Sequence, residues 1–460
     1  MNDPVAFIHQ LSYRDLPDAV VAQARRCLLD LIGVAASGRA TDLSRIVHAF
    51  AVSQMGAGPH GARLIFDGRR ASPTGAAYAG ASTIDAFDAH DGHKLTKGHA
   101  GVALLPTVLA AMDSFGRWDG RELLTALVLG YEIAIRAGIA LHASVGDYHT
   151  SGAWNALGCA AITARALALD GVKTRHALGI AEYHGPRSQM MRCIDHPTMV
   201  KDGSGWGALA GVSAAHLAAA GFTGAPALLV EEGRETLWAD LGHRWTILEQ
   251  YFKPYPVCRW AQPAVEAVAS LIHEGLAPAR IAEIEIRTFE HGVRLGTRPP
   301  ETTEEAQYAL GYPVAALVVR GRLGAEEIMA HDLADAQVAA LASRIRVVED
   351  EAFSARFPAE RIAVAVLRLD DGTVRTSAPT SARGDPETPL TDLEILQKFR
   401  ALTGSLAPTR QVAIERAVGD LDQSESAAAV LGDAVLAPID GAAGPARVDE
   451  DLASRSRELA

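Results

Sequence analysis

The sequence predicts a mainly α protein in which a large all-helical domain carries a smaller α+β lid domain. Three observations support this fold class. The chain has 460 residues, a length that exceeds the usual size of a single domain, and 48% of its residues are hydrophobic. Up to about residue 250, apolar residues recur three and four positions apart, with Gly or Pro at the breaks. Near residue 280 the period changes to one typical of strands.

The predicted first long helix illustrates the helical pattern. Asp15 is a candidate cap, Pro17 suits a first turn, and the helix is expected to end before Gly38. Arg25 and Arg26 fall on the polar face. The apolar stripe on the opposite face consists of Val20, Val21, Ala24, Cys27, Leu28, Leu31 and Ile32.

The second half of the chain indicates strands followed by helices. Apolar residues in 281–286 mark one strand, and 362–369 alternates before Asp371-Gly372, a hairpin-type turn. Residues 390–420 are again helical in pattern. We therefore predict four parts, namely an all-helical domain at 1–264, an α+β lid domain at 265–395, a helical segment at 396–440 that returns to the first domain, and a flexible tail at 441–460.

Net charge and cysteine usage restrict the partners and the compartment. A formal net charge of −12 argues against binding nucleic acid through bulk electrostatics, so an anionic ligand requires a local positive cluster. The N-terminus lacks the features of a signal peptide, and we predict no apolar run near the roughly 20 residues that span a bilayer. No CxxC pair occurs among Cys27, Cys159, Cys193 and Cys258, which fits a reducing compartment. We therefore expect a cytoplasmic protein, and the absence of a predicted membrane span leads us to expect no membrane contact.

The densest polar cluster contains Asp85, Asp88, His90, Asp91, His93, Lys94, Lys97 and His99. Histidine titrates near neutral pH and carboxylates orient it, so this mixture suits general acid and base chemistry. One alternative is that these residues are caps and loop residues between two helices. Another is a metal site, because His90-x-x-His93 with Asp91 resembles ligand spacing. No H-E-x-x-H pattern is present, and we expect no metal.

A second cluster is rich in positive charge. Arg187, Arg192 and Lys201 lie close together in the sequence, with His184 and His196 among them. Arg binds a carboxylate through two parallel hydrogen bonds and Lys supplies a point charge, so together they suit a di- or tricarboxylate. The alternative is an ordinary solvated face.

A third cluster surrounds two prolines. Pro254 and Pro256 hold the backbone extended, so a stiff connector displays Lys253 and Cys258. Such a connector suits both a domain junction and a site. For Cys258 the alternative is a small buried apolar residue rather than a nucleophile. His149, in Tyr148-His149-Thr150, is a weaker candidate.

With these motifs the sequence resembles the MmgE/PrpD family, which includes 2-methylcitrate dehydratase, cis-aconitate decarboxylase and iminodisuccinate epimerase. The resemblance implies a helical large domain, an α+β lid, a homodimer and catalysis without a cofactor. It covers nearly the whole chain and rests on Asp88…His99-Ala-Gly, Tyr148-His149, Lys201-Asp-Gly, Lys253-Pro-Tyr-Pro, Gly384-Asp385-Pro386…Pro389-Leu390 and Lys398-Phe399.

The resemblance also implies site residues. The decarboxylase members have an active-site aspartate, histidines and lysines. At the matching positions this chain has Asp88, His99, His149, Lys201 and Lys253. Two positions depart from the decarboxylases: Gly92 stands where they have a threonine, and Cys258 where they have a histidine. Cys258 opposite His99 would suit a two-base epimerase, since a thiolate and an imidazolium can act from two faces.

We therefore expect a lyase that moves a proton at the carbon next to a carboxylate of a small di- or tricarboxylate. Lys201 and Lys253 would clamp carboxylates, and His99 would move the proton. Asp88 would orient or tune His99, and Cys258 is a further catalytic candidate. The alternatives are an epimerase of an amino-polycarboxylate such as iminodisuccinate and a non-catalytic carboxylate-binding protein. Additional substrate contacts are expected from Asp91, His93, Arg187, Arg192 and Arg259.

Overall fold

The computed structural model describes residues 3–116, 118–231, 235–272, 276–329 and 333–439. The predicted tail at 441–460 lies outside these residues. Helices dominate the body and a smaller part carries a mixed sheet, so the predicted fold class is confirmed.

The helices are α1 Pro4–Gln10, α2 Asp18–Gly38, α3 Asp42–Gln54, α4 Pro73–Asp85, α5 Gly101–Phe115, α6 Gly120–His142, α7 Gly152–Ala166, α8 Gly171–His184, α9 Met191–Asp195, α10 Ser204–Ala219, α11 Leu228–Glu231, α12 Glu235–Trp238, α13 Gln262–Ala269, α14 Glu290–Val293, α15 Thr303–Gln307, α16 Gly311–Arg320, α17 Ala325–Ile328, α18 Ala336–Ala342, α19 Glu351–Ser354, α20 Asp392–Leu402, α21 Pro408–Gly419 and α22 Asp433–Leu436. The strands are β1 Ala62–Arg63, β2 Arg70–Ala71, β3 Gly92–His93, β4 Gln250–Tyr251, β5 Ile281–Thr288, β6 Ile345–Glu349, β7 Ile362–Leu369, β8 Val374–Thr376 and β9 Thr380–Ser381.

The core of the body is formed by helices that are apolar on most sides. Helix α10 packs against α7, α4 and α8, and α6 packs against α7. By length and composition α6 could cross a membrane, so the expectation that no apolar run approaches that length was wrong. However, 94% of its most apolar window is buried inside the protein.

The start of α2 differs from the prediction. Pro17 was expected in the first turn but stands at the N-cap, one position before the helix, and no side chain caps the helix. Asp15 instead forms a capping box with Ser12 around a short 3-10 turn, with Oδ2 accepting from the backbone N–H of Ser12 at 2.9 Å. The spacing of these two residues satisfies a capping box one turn earlier, which is why Asp15 is not available to α2.

The polar face of α2 is covered by the last part of the chain. Helices α20 and α21 pack against α2. Arg25 forms an ion pair with Asp422, and Arg26 donates a hydrogen bond to the carbonyl oxygen of Leu390. The helices at 392–419 therefore return to the body after the sheet has been completed.

The sheet of the small part has the order β6-β5-β7-β8, and β9 also pairs with β7. Strands β5 and β6 are parallel, whereas β7 is antiparallel to β5, β8 and β9. The strands predicted at 281–286 and 362–369 are confirmed. The turn between β7 and β8 contains Gly372 at φ +85°, the left-handed conformation that a hairpin turn requires.

Candidate active site

The loop between α4 and α5 meets the extended connector that follows β4. Strands β3 and β4 pair antiparallel, with Gly92 opposite Tyr251 and His93 opposite Gln250. This short ladder brings the predicted residues Asp88 and His99 against a connector more than 150 positions later in the chain. The resulting cavity, about 30 Å³ in volume, is lined by Asp88, Lys97, His99, Met190, Ile194, Asp202, Tyr251, Lys253, Cys258, Arg259, Trp260, Tyr308 and Arg361.

Lys253 and Asp88 form a buried ion pair in this cavity. Lys253 is 1% exposed and Asp88 3% exposed, and Nζ lies 2.5 Å from Oδ1. Burial is the largest single effect and would raise the pKa of Asp88, but the positive charges of Lys253 and of further groups, among them Lys201, together outweigh it and hold that pKa well below its usual range. Asp88 is therefore an ionised carboxylate whose charge is matched by Lys253.

Lys201 is linked to Asp88 through Gln307. Its Nζ donates to Oε1 of Gln307 at 2.7 Å and lies 4.7 Å from the ring centroid of Tyr308. The same Gln307 oxygen accepts from the backbone N–H of Asp88 at 2.8 Å. Lys201 has φ +47°, a left-handed backbone that costs a non-glycine residue about 1–2 kcal/mol. Such strain is typical of residues held for function.

His99 is held as a neutral imidazole with a defined tautomer. Its Nδ1 lies 2.6 Å from the backbone carbonyl oxygen of Asp91. A carbonyl oxygen only accepts, so Nδ1 carries the proton and Nε2 keeps its lone pair. Burial, and after it the charge of Lys253, lower the pKa of His99 well below its usual value. A buried histidine with a free lone pair is suited to accept a proton from a substrate.

Of the two roles expected for Asp88, the structure supports tuning. The negative charge of Asp88 raises the pKa of His99, against the larger effects that lower it. Orientation comes from elsewhere, because the ring of His99 is fixed by the Asp91 carbonyl and its backbone N–H donates to Oγ of Ser151 at 2.8 Å.

His90 completes a group that has the geometry of a metal site. Single ligand atoms of Asp88, His90 and His99 lie within 4.8 Å of one another. Burial, and after it Lys253, lower the pKa of His90 to about 3, so its ring is neutral. However, the Lys253 ammonium already contacts the Asp88 carboxylate at 2.5 Å. A second cation there would meet that charge at close range, so the residues fit a metal poorly.

Asp91 and His93 support the site without lining its cavity. Asp91 is fully buried, and its Oδ2 accepts from the hydroxyl of Tyr131 at 2.7 Å. Burial is the main cause that raises the pKa of Asp91 to about 7. The Nε2 of His93 lies 3.2 Å from Oε2 of Glu249. These contacts hold the loop from which His99 takes its orientation.

Comparison with known proteins agrees with this layout. The family model of the MmgE/PrpD N-terminal domain matches residues 5–240, and that of the MmgE/PrpD C-terminal domain matches residues 255–423. The chain belongs to the MmgE/PrpD family. Cis-aconitate decarboxylase from Mus musculus is 25% identical over 427 residues, which cover 86% of this chain and 84% of that protein.

Two further relatives are a decarboxylase and a dehydratase. Cis-aconitate decarboxylase from Homo sapiens is 26% identical over 429 residues, 86% of this chain and 85% of that protein. The 2-methylcitrate dehydratase from Cupriavidus necator is 37% identical over 130 residues, 26% of this chain and 27% of that protein. All three relatives of this MmgE/PrpD protein are lyases by name.

The predicted site residues divide into two groups. Asp88, His99, Lys253, Cys258 and Arg259 line the cavity, and Lys201 contacts its wall through Gln307 and Tyr308. Arg259 also donates to Oδ1 of Asp385 at 2.6 Å.

Besides Asp91 and His93, three predicted residues lie outside this cavity. The side chain of Arg187 is 44% exposed and lies 4.0 Å from Glu182. Arg192 lines a neighbouring cavity of about 470 Å³ together with His196 and Lys201. The Nε2 of His149 lies 3.3 Å from Asp147. Most of the basic cluster therefore lines the neighbouring cavity, and Lys201 is also linked to Asp88 through Gln307.

Several site residues were not predicted. Gln307, Tyr308 and Arg361 come from the small domain of this MmgE/PrpD protein, and Tyr251 lies opposite Gly92. For Arg361 a usable signal exists, since a cation stands immediately before the apolar strand β7. Gln307 and Tyr308 lie in a short helix and the residue after it, and we find no distinguishing pattern there.

Proposed function

We propose that this protein is a cofactor-independent lyase that acts on a small di- or tricarboxylate by proton transfer at the carbon next to a carboxylate. The observation that carries the proposal is that a neutral histidine, His99, and a buried lysine, Lys253, line one cavity. His99 offers an unprotonated Nε2, while Lys253 and Lys201 supply positive charge nearby. The names of the relatives, a decarboxylase and a dehydratase, support the same class of reaction.

The proposed reaction divides the work between these side chains. His99 removes the proton from the carbon next to a substrate carboxylate. The negative charge that develops on that carboxylate is stabilised by Lys253 or Lys201, a contribution of roughly 3 kcal/mol for a well-placed donor. The electron pair then expels a hydroxyl group from the adjacent carbon, which leaves as water with the proton that His99 had removed, and the unsaturated acid remains. In the decarboxylase route a carboxylate leaves as carbon dioxide, and the resulting carbanion takes a proton that His99 relays from water.

The epimerase alternative depends on Cys258. Burial, and after it the charge of Asp88, raise the pKa of Cys258 to about 12. The thiol is then protonated at neutral pH, so it lacks the thiolate that a second base requires. This favours the lyase over the two-base epimerase.

The experiment that tests the proposal is proton NMR in deuterium oxide. The purified protein is incubated with citrate, 2-methylcitrate, cis-aconitate or iminodisuccinate. A new vinyl signal or conversion to an unsaturated acid is expected. Deuterium incorporation without a new product would replace the lyase with the epimerase, and no change with any of the four acids would count against the proposed substrates.

A matched variant separates catalysis from simple binding. His99→Gln retains a hydrogen-bonding side chain but cannot exchange a proton, so turnover should be lost while ligand affinity changes by less than about tenfold. A wild-type protein that binds the acids but turns over none of them would support the non-catalytic binding protein.

We also propose a cytoplasmic homodimer. The homodimer is implied by the family resemblance, and the compartment is supported by four cysteines that are buried as free thiols. Light scattering coupled to size-exclusion chromatography measures the oligomeric state, and a mass of one chain would contradict the dimer.

A further inference from the structure

One arginine in the cavity wall has donors without acceptors. Arg361 precedes β7 and is 5% exposed. Its Nε and Nη1 are buried and make no hydrogen bond within the described part of the chain. Its Nη2 is 3.5 Å from the carbonyl oxygen of Lys94, at the limit of hydrogen-bond distance. A guanidinium normally fills its donors when it is buried, so these two donors need an acceptor.

Lys97 lies at the same end of the cavity. It is in the loop before α5 with φ +52°, and its Nζ is 4.0 Å from the ring centroid of Tyr148. Within the residues that the structure describes, no carboxylate lies within ion-pair distance of Nζ. Burial, and after it the charge of Arg361, lower the pKa of Lys97 to about 8. The charge of Arg361 thus disfavours the charged form of Lys97, an effect that an anion between the two side chains would reverse.

The other two cations that line the cavity are paired with carboxylates. Lys253 contacts Asp88 at 2.5 Å, and Arg259 contacts Asp385 at 2.6 Å. Lys201 does not line this cavity. Among the cations that line it, the positive charge without a paired carboxylate in the described residues is therefore at Arg361 and Lys97. Leaving a buried charge unpaired is costly, and a carboxylate accepts from a guanidinium fork and from an ammonium together.

We propose that Arg361 and Lys97 form a subsite for a second substrate carboxylate, away from the carbon that His99 deprotonates. The subsite would select ligands with two or more carboxylates over acids with one. It rests on the proposed function for the identity of the reacting carbon, but its affinity for a carboxylate can be measured without turnover.

The subsite also joins the two parts of the protein. Lys97 belongs to the helical body, whereas Arg361 stands at the start of a strand in the small domain. The cavity of about 30 Å³ accommodates roughly two water molecules, which is too little for a dicarboxylate. Because the two cations belong to different parts, a carboxylate held by both would contact both parts of the protein at once.

The test compares two ligands of nearly equal size that differ in one charge. Succinate has two carboxylates, and succinamate replaces one of them with an amide. Affinities are measured by NMR titration with the full-length wild-type protein, Arg361→Gln, Lys97→Gln and the control Arg346→Gln, which removes an exposed arginine from β6. The wild type should prefer succinate by about 10- to 100-fold, the range of a charge-assisted hydrogen-bonded contact.

Arg361→Gln and Lys97→Gln should lower the affinity for succinate and leave the affinity for succinamate nearly unchanged. In Arg361→Gln and in Lys97→Gln the preference should fall to about threefold or less, because succinamate never used the subsite, whereas Arg346→Gln should retain it. Thermal unfolding checks each variant, and either cavity variant that folds suffices for the comparison. Equal affinity of the wild type for both ligands, no binding of either, or an unchanged preference in a folded cavity variant would overturn the subsite.

This outcome is separate from that of the proposed function. If the protein prefers succinate but turns over none of the four polycarboxylates, the subsite is supported and the lyase is contradicted. If the protein is an active lyase but its preference for succinate is unchanged in Arg361→Gln, the lyase is supported and the subsite is contradicted.

Discussion

The Nδ1 atom of His99 lies 2.6 Å from the backbone carbonyl oxygen of Asp91, and this contact determines which ring nitrogen carries the proton. A backbone carbonyl does not titrate, so the tautomer is independent of the charge on the Asp91 side chain. The carboxylate of Asp91 is instead occupied by the hydroxyl of Tyr131 at 2.7 Å. One loop residue thus positions the base through its backbone while its side chain fixes the loop to α6.

The first prediction concerns this tautomer. Nitrogen-15 NMR of the protein should show His99 protonated at Nδ1 and unprotonated at Nε2. Because burial and Lys253 lower the pKa of His99, the signal should stay that of a neutral ring from pH 8 down to about pH 5.5. The His99→Gln variant identifies the resonance. An Nε2-protonated ring, or a ring that becomes charged near pH 6.5, would contradict the proposed base.

The second prediction tests the space around His99. A Cβ added to Gly92 would lie 2.4 Å from the hydroxyl oxygen of Tyr251 and 2.7 Å from Nδ1 of His99. Gly92→Ala should therefore displace the ring of the proposed base and reduce kcat at least about tenfold, since a misplacement near 1 Å is costly. Gly56→Ala is the control, because nothing lies within 4 Å of its added Cβ. Equal activity of the two variants would show that the loop adapts.

The core of the site was predictable because its residues share short motifs. Asp88 and His99 stand eleven positions apart in one polar loop, and Lys253 stands beside two prolines that exclude a helix. Arg361 and Gln307 were missed because the packing of the small domain on the body brings Arg361 to the cavity and Gln307 to Lys201 and Asp88. Sequence periodicity reports which face of an element is buried, and it carries no information on which distant element covers it.

The fold was predictable for the same reason. In β5 buried residues alternate with less buried ones from Ile284 onward, so the period is visible in the sequence, whereas β7 is recognisable as a run of mostly buried apolar residues. The basic cluster at 187–201 converges only in part. Arg192, in the short helix α9, lines one cavity with Lys201, whereas Arg187 lies at the surface.

A third prediction follows from the neutral state of His90. Burial lowers the pKa of His90 from 6.5 to about 3, so its contribution to stability is present above pH 6.5 and is lost as pH falls toward 3. The difference in unfolding free energy between wild type and His90→Asn should shrink by about 2 kcal/mol between pH 7.5 and pH 5.0. Urea denaturation at the two pH values measures this difference.

The wild type is compared with the variant because Asp91, with its pKa raised to about 7, contributes increasing stability to both proteins as the pH falls over the same range. A difference that does not change with pH would mean that His90 is charged or solvated in the folded protein.

The fourth prediction separates the lyase from the two-base epimerase. Burial and the charge of Asp88 raise the pKa of Cys258 to about 12, so only about one thiol in 30,000 is ionised at pH 7.5. Because the thiolate is the nucleophile, iodoacetamide should modify Cys258 at least about a thousandfold more slowly in the native protein than in urea. Ser53→Cys adds a thiol at an exposed position and serves as the fast-reacting control in the folded state. Mass spectrometry of tryptic peptides gives both rates. Rapid modification of Cys258 in the folded protein would indicate an accessible thiolate opposite His99, and the epimerase would then be the better account of this cavity.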